Sequence, residues 1–193
     1  MAGTLTERQQ ARHARVIEAT IELAREGGYE AVQMRDVAAQ AQVALGTLYR
    51  YFSSKDHLLV AVLADWAEQM RDRLKQRPPR AGTAAERVID ALKRATRSLE
   101  REPRLASALV TALSTLSSED ARALEEAQEI YGTVADIITT AADDGSGIEH
   151  RDEVIRTISL LWLTTLLTWV RGWQPISQTY EDLDSAVRLL IHQ

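Results

Sequence analysis

Cysteine is absent from this chain, phenylalanine occurs once, and only four prolines and nine glycines are spread over 193 residues. Without cysteine there can be no disulfide, no thiolate metal site and no thiol nucleophile. With so few breakers, long uninterrupted helices are permitted. Aromatics make up 5% of the residues against 45% hydrophobic in all, so aliphatic side chains carry the apolar load. The most apolar stretch, Ile158 to Val170, is thirteen residues long. At ~1.5 Å rise per residue it falls short of a ~30 Å hydrocarbon layer, so no membrane partner is expected. The first residues, Met-Ala-Gly-Thr-Leu-Thr-Glu-Arg, lack the basic-then-apolar profile of a secretory signal, and a reducing, cytoplasmic location is expected.

Enzyme signatures are missing too. There is no glycine-rich phosphate loop, no nucleophile elbow, no His-Glu-x-x-His and no clustered carboxylate-histidine set. The histidines, His13, His57, His150 and His192, are scattered, and none pairs with another at metal-ligand spacing. His57 is expected on the solvent face of its helix, without a role. The expectation is a protein with no catalytic residue, no metal and no cofactor.

Net charge is −5, which argues against indiscriminate coating of nucleic acid. Its distribution says more. Up to Lys55 there are seven Arg and Lys against six Asp and Glu; beyond it, sixteen against twenty-two. A slightly basic end on an acidic body suits a protein that touches DNA with that end only.

The apolar spacing predicts helices throughout and no strand. Arg8 to Glu26 carries Ala14, Ile17, Ile21 and Ala24 on one face, and Gly27-Gly28 ends it. Two short helices follow between Met34 and Phe52. The next runs from about Lys55 to Gln76 through Leu59, Val62, Leu63, Trp66 and Met70. Arg77-Pro78-Pro79-Arg80-Ala81-Gly82 is the best linker. Beyond it, Thr83 starts a helix through Val88, Ile89, Leu92, Ala95 and Leu99 that stops near Glu102-Pro103, and Arg104 to Leu116 forms a shorter one. Ser117 or Ser118 is expected to cap a helix holding Ala123, Leu124, Ala127, Tyr131, Val134, Ile137 and Ile138. A turn at Asp143 to Gly147 precedes a long helix from Glu149 to Gly172 and a last one from Ser177 to Ile191. The sum is an all-α chain of nine helices in two domains. Residues 1–54 form a three-helix head that binds DNA; residues 55–193 form a helical body for ligand binding and dimerisation.

The head carries the most informative segment, Met34 to Lys55 (MRDVAAQAQVALGTLYRYFSSK). Its apolar positions Val37, Ala38, Ala41, Val43 and Leu48 fit two helices packed across a turn. The second helix presents Thr47, Tyr49, Arg50 and Tyr51, with Lys55 just beyond. Hydroxyls and cations in that pattern hold phosphate oxygens and test base edges. This is the pattern of a DNA-reading helix-turn-helix. Arg50 can read guanine bidentately or hold phosphate, and both readings stay open.

On Val37-Ala38, Ala41, Val43, Gly46-Thr47-Leu48-Tyr49-Arg50-Tyr51-Phe52, Ser54-Lys55 and Leu58-Leu59, the sequence resembles the TetR family of bacterial repressors. Gln42 departs from the family pattern where a turn glycine is common, and Met34 where a capping threonine is common. A narrower resemblance, to the actinobacterial KstR-type repressors of cholesterol catabolism, rests on Gly27 to Arg35, Val43 to Lys55, His57 to Val60, Trp162-Leu163, Leu166-Leu167, Trp169 and Ala186 to Ile191.

The resemblance implies that Ala44, Leu45 and Gly46 approach base edges, since a side chain at Gly46 would hold the helix off the groove. It makes Thr47, Tyr49 and Tyr51 phosphate contacts, joined by Lys55, with Gln33 and Arg35 as secondary contacts. Such heads act in pairs about one helical turn, ~34 Å, apart, so a homodimer on an inverted-repeat operator is expected. Ile158 to Val170 is apolar nearly all round its helix. It is either a central core helix or, the reading we take, a dimer seam shared with the last helix.

Bulky residues on inward stripes are candidates to line a ligand pocket: Trp66, Met70, Leu109, Leu113, Tyr131, Trp162, Leu166 and Trp169. The residues alone say that a ligand there is large and apolar. The resemblance implies a steroid acyl-coenzyme A thioester. A repressor of efflux or fatty-acid genes answering another apolar ligand is the alternative. In either case the protein would work in the cytoplasm, on the nucleoid when bound to DNA.

Overall fold

The computed structural model describes residues 7–80, 82–142 and 148–191. Among these the chain forms nine helices and no strand: α1 (Glu7–Ala31), α2 (Met34–Gln40), α3 (Leu45–Tyr51), α4 (Lys55–Gln76), α5 (Ala84–Glu100), α6 (Pro103–Thr115), α7 (Ala121–Ala142), α8 (Arg151–Val170) and α9 (Ile176–Leu190). The all-α, nine-helix expectation therefore holds over the described residues. The N-terminal segment Met1 to Thr6, the expected turn at Asp143 to Gly147, and His192 lie outside them.

Packing divides the chain into two compact units. The first runs through Leu63 and takes in Arg104–Ala127; the second holds Ala64–Pro103 and the chain from Gln128 onward. These units follow packing. A functional division at residues 54 and 55 is a separate matter, and it is retained below as a proposal.

In the first unit, α1 buries Val16, Ile17, Thr20 and Ala24, while Ala14 is exposed. The expected stripe holds at Ile17, Ala24 and half-buried Ile21; only Ala14 departs, and Val16 and Thr20 widen the buried face. Gly28 (φ 69°, ψ −157°) breaks the helical backbone, a geometry that a β-carbon resists. The arriving chain leaves carbonyls without intrahelical donors, and Arg104 Nη1 donates to that of Glu26 at 2.6 Å. Helix α2 packs on both α1 and α3.

The exit from α2 is a Schellman turn: Val43 N–H donates to Ala38 O (2.9 Å) and Gln42 N–H to Ala39 O (3.2 Å). Its left-handed position is held by Gln42, at φ 54°, where the family pattern favours glycine. At its N-terminus α2 has Gln33 as cap residue, with no side-chain cap hydrogen bond.

In the second unit, α5 and α8 both pack on α9. Thr83 caps α5 through a reciprocal box with Glu86, at 3.2 Å and 3.1 Å. Val88, Ile89, Leu92, Ala95 and Leu99 of α5 are buried, as are Val134, Ile137 and Ile138 of α7 and Leu183 and Val187 of α9. Trp162, 2% exposed, donates its indole N–H to Thr96 Oγ1 at 2.9 Å, so its one polar atom is satisfied. Lys93 and Arg188 both pair with Asp184, at 3.0 Å and 2.7 Å. The Arg188 hydrogen bond, with help from Lys93, outweighs burial and holds the Asp184 carboxyl below its usual range.

Helix α8 lies within the expected Glu149 to Gly172, and its apolar part is longer than the thirteen residues on which the membrane expectation rested. Val154 and Ile155 extend the apolar face towards the N-terminus, and the twenty-residue helix is long and apolar enough, by length and composition, to cross a membrane. One face of it is buried, with Trp162 bonded to Thr96 and the helix packed on α9, while Leu160 stands in solvent. It ends in a second Schellman turn, Trp173 N–H to Thr168 O and Gly172 N–H to Trp169 O, both at 2.9 Å, with Gly172 at φ 69°.

The same turn thus occurs once with glycine and once with glutamine. Because a left-handed residue with a β-carbon costs about 1 kcal/mol, Gln42→Gly should stabilise the chain and Gly172→Ala should destabilise it, each by about that amount. Thermal or urea denaturation of the two variants checks both signs.

Candidate nucleic-acid interface

Helix α3 is seven residues long, too short to be stable alone, and two apolar anchors hold it: Leu48 at 1% exposure and Phe52 at 3%. Ala44 stands before it in extended conformation (φ −66°, ψ 137°), without a side-chain cap. Ala44, Leu45 and Gly46 are exposed at its N-terminal end, and a β-carbon built on Gly46 would meet nothing within 4 Å. Nothing inside the protein demands glycine there. Clearance would matter only toward a partner.

The expected single face of Thr47, Tyr49, Arg50 and Tyr51 divides in two. Tyr49 (51% exposed) and Arg50 face outward. Thr47 and Tyr51, four residues apart and so on one side of the helix, are half-buried. They share with Gln9, Arg12, His13 and Val16 of α1 a cavity of about 20 Å³, room for a single water. The Arg50 guanidinium sits 5.4 Å from the Tyr51 ring centroid. Arg35 is exposed on α2, and the Gln33 amide donates to Glu30 O at 3.0 Å.

Lys55 is held in place. Its ammonium lies 3.8 Å from the Tyr29 ring centroid and 3.9 Å from the exposed Glu30 carboxylate. The Tyr29 hydroxyl in turn donates to Asp56. Burial, then the hydrogen bond and charge of Asp56, push the Tyr29 phenol up to about 12. Tyr29 thus places a polar tether beside a DNA-contact candidate.

His57 corrects the sequence reading outright. It is 1% exposed, not on a solvent face. Its Nδ1 accepts the Ser53 backbone N–H at 3.1 Å, and its Nε2 lies 3.3 Å from Glu126 Oε1. The helix period had placed it beside polar neighbours, but α7 covers that side. The cap of α7 is also corrected: Asp120, not Ser117 or Ser118, accepts the Ala123 N–H (3.3 Å), while the Ser117 hydroxyl accepts Glu119 N–H. Arg122 of α7 donates to the Arg50 carbonyl at 3.2 Å. Sequence reasoning missed Asp120, Arg122 and Glu126 because their partners lie some seventy residues away.

An exposed, groove-sized helix end bearing an arginine and a tyrosine, steadied by a second short helix, is the geometry of a helix-turn-helix reader. Residues 16–62 match the bacterial regulatory proteins of the tetR family, and residues 82–190 match the tetracyclin repressor-like C-terminal domain. The chain belongs to the tetR family.

Over 186 residues this TetR-family regulator is 37% identical to the HTH-type transcriptional repressor KstR of Mycolicibacterium smegmatis, covering 96% of this chain and 90% of that one. A crystal structure of a TetR transcriptional regulator from Rhodococcus sp. RHA1 superposes with a TM-score of 0.85 at 35% identity, covering 96% and 98% of the two chains. Thermus thermophilus FadR, a TetR-family repressor solved with lauroyl-CoA, shares the fold at a TM-score of 0.73 and 20% identity, over 92% of each chain. The relatives are named as transcriptional repressors or regulators, in agreement with the expectation of a regulator rather than an enzyme. Among the described residues no three His, Asp or Glu side chains converge as a metal site.

The ligand candidates of this TetR-family chain are divided between the two compact units. Leu109 and Leu113 belong to the first compact unit; Trp66, Met70, Tyr131, Trp162, Leu166 and Trp169 belong to the second. Met70, Leu109, Trp162 and Leu166 are buried, while Trp66, Leu113 and Trp169 are half-buried. Tyr131 is 41% exposed, so it leaves the inward stripe on which its spacing had put it. The neighbouring Ile130, Thr133 and Val134 take the buried face of α7 instead. Trp66 donates to Ser98 Oγ at 3.3 Å.

Tyr29→Phe removes the tether to Asp56 and should lower stability at neutral pH by about 1 kcal/mol. A raised phenol favours the fold below the unfolded value of 10 and loses that advantage as pH rises towards 12. The difference between wild type and variant in urea denaturation should therefore shrink from pH 10 upward.

Proposed function

We propose that the chain is a ligand-responsive transcriptional repressor that binds an inverted-repeat operator as a homodimer and controls genes of sterol or lipid catabolism. The observation that carries this reading is the likeness to a named repressor over nearly the full length, body as well as head. DNA recognition is assigned to residues 1–54. Leu45 and Arg50 read bases, Ala44 and Gly46 permit close approach, and Thr47, Tyr49, Tyr51 and Lys55 hold phosphates, with Gln33 and Arg35 beside them. The site of action is then the cytoplasm, on the nucleoid when operator-bound.

Residues 55–193 are assigned to ligand binding and pairing. Support for pairing through α8 and α9 comes from three large apolar side chains left in solvent: Leu160 on α8 (51% exposed), Trp173 in the turn that follows it (75%) and Leu189 on α9 (67%). Association through this face would take those side chains out of water. The eight bulky candidates, Tyr131 with less support than the others, form the proposed lining. A steroid acyl-coenzyme A thioester as ligand rests on the KstR-type resemblance, and the fold it shares with FadR is one that accommodates lauroyl-CoA in that protein. A ligand that prefers the dimer with its heads wrongly spaced lowers DNA affinity by the same factor.

In gel shifts with an inverted-repeat duplex, log affinity should fall with log salt by ~0.9 per phosphate neutralised. Tyr49→Phe should weaken all sequences alike, whereas Leu45→Ala or Arg50→Ala should change which sequence is chosen. Thermal shift should rise with a steroid-CoA thioester more than with free steroid or fatty acyl-CoA. Strongest stabilisation by fatty acyl-CoA would instead favour a regulator of fatty-acid genes, and failure to shift any duplex at low salt would overturn the repressor reading.

A further inference from the structure

The end of α3 is where this short helix is least supported by its own backbone. The last carbonyls of a helix have no intrahelical donor. Phe52 N–H takes the carbonyl of Leu48, and that of Arg50 is met from outside, by the Arg122 guanidinium at 3.2 Å. A cation at a helix C-terminus also opposes the partial negative charge there. Asp120, which caps α7, accepts the hydroxyl of Ser53, the residue after Phe52. One turn beyond Arg122 on α7, Glu126 Oε1 faces buried His57. Since His57 Nδ1 accepts the Ser53 N–H, the ring proton sits on Nε2, towards Glu126. The other Glu126 oxygen is buried with no hydrogen-bond partner, so that carboxylate is spent on this contact alone. Burial raises the Asp120 carboxyl, but the Ser53 and Ala123 hydrogen bonds, with the Arg122 charge, outweigh it and hold it below its usual range.

We propose that Asp120, Arg122 and Glu126 are positioning residues for DNA binding. They touch no DNA. They clamp Arg50, Ser53 and His57, and so fix where α3 ends and α4 begins. The assignment rests on α3 being the DNA-reading helix. Its physical basis is preorganisation: a seven-residue helix held only by Leu48 and Phe52 would have to be ordered at the moment of binding, at a cost in affinity. Because α7 is one helix from Ala121 to Ala142, a shift of its first two turns moves all three clamping side chains together.

The test uses the full-length chain and a duplex that the wild-type protein enriches from a random-sequence pool. Exposed Arg122 can be changed without opening the core. Arg122→Ala and Glu126→Ala should each weaken binding to that duplex roughly tenfold, the effect expected of a lost charged hydrogen bond. Repeated selection with these variants should return the same base preference. Amide exchange should quicken over residues 51–57 while the urea midpoint changes little. Arg122→Lys and Glu126→Gln, which keep a donor for the Arg50 carbonyl and an acceptor for His57, should recover most of the affinity. Wild-type affinity in both alanine variants overturns the assignment, and so does an altered base preference, which would mean direct readout. Affinity loss that tracks global unfolding and is not rescued overturns it as well. If the wild-type chain enriches no sequence, the DNA-binding reading fails first and this assignment with it; that outcome shows in the wild-type arm alone.

Discussion

A DNA-reading helix must be short enough to enter a groove and yet be stiff when it arrives, and a seven-residue helix cannot stiffen itself. Its hydrogen bonds are too few to repay nucleation, so the surrounding structure has to supply the order. In this chain the order comes from Leu48 and Phe52, buried to a few per cent, and from α2, which is equally short and is held by Val37, Ala38 and Ala41. Every outward group on α3 depends on those inward ones. Tyr49 and Arg50 can be exposed because Leu48, beside them in sequence, is not.

The two compact units solve different problems. The first keeps polar groups at its edge and fastens them in pairs: Tyr29 to Asp56, Lys55 over Tyr29, Arg122 to the Arg50 carbonyl. The second builds a conventional aliphatic interior with few polar groups inside it: Trp162 is matched by Thr96 and Asp184 by Lys93 and Arg188, while Gln174 Nε2 is buried without a hydrogen-bond partner. It leaves large apolar side chains outside on α8 and α9. A monomer gains nothing from Trp173 in water; a pair of chains can bury it.

Much of the architecture was legible because it is local. Glycine at Gly28, the Thr83–Glu86 box and the spacing of Val88, Ile89, Leu92, Ala95 and Leu99 act within one or two helical turns, so they can be read along the chain. The helix-turn-helix was readable for the same reason, since its apolar positions and its polar tip lie within twenty-two residues. Where reading failed, several local choices were equally good. Ser117, Ser118 and Asp120 are all competent caps, and Tyr131 sits one position from a buried isoleucine.

Composition, period and turn residues by themselves determined an all-helical chain, the order and approximate ends of its helices, and a head chemically suited to phosphate and base edges. They could do so because helix formation and capping are decided by neighbours in sequence. Tertiary structure alone decided that His57 is buried, that Thr47 and Tyr51 turn towards α1 while Tyr49 and Arg50 do not, and that Asp120, Arg122 and Glu126 meet the junction of α3 and α4. Those outcomes depend on which distant helix covers a given face, and a helical period carries no record of its partner.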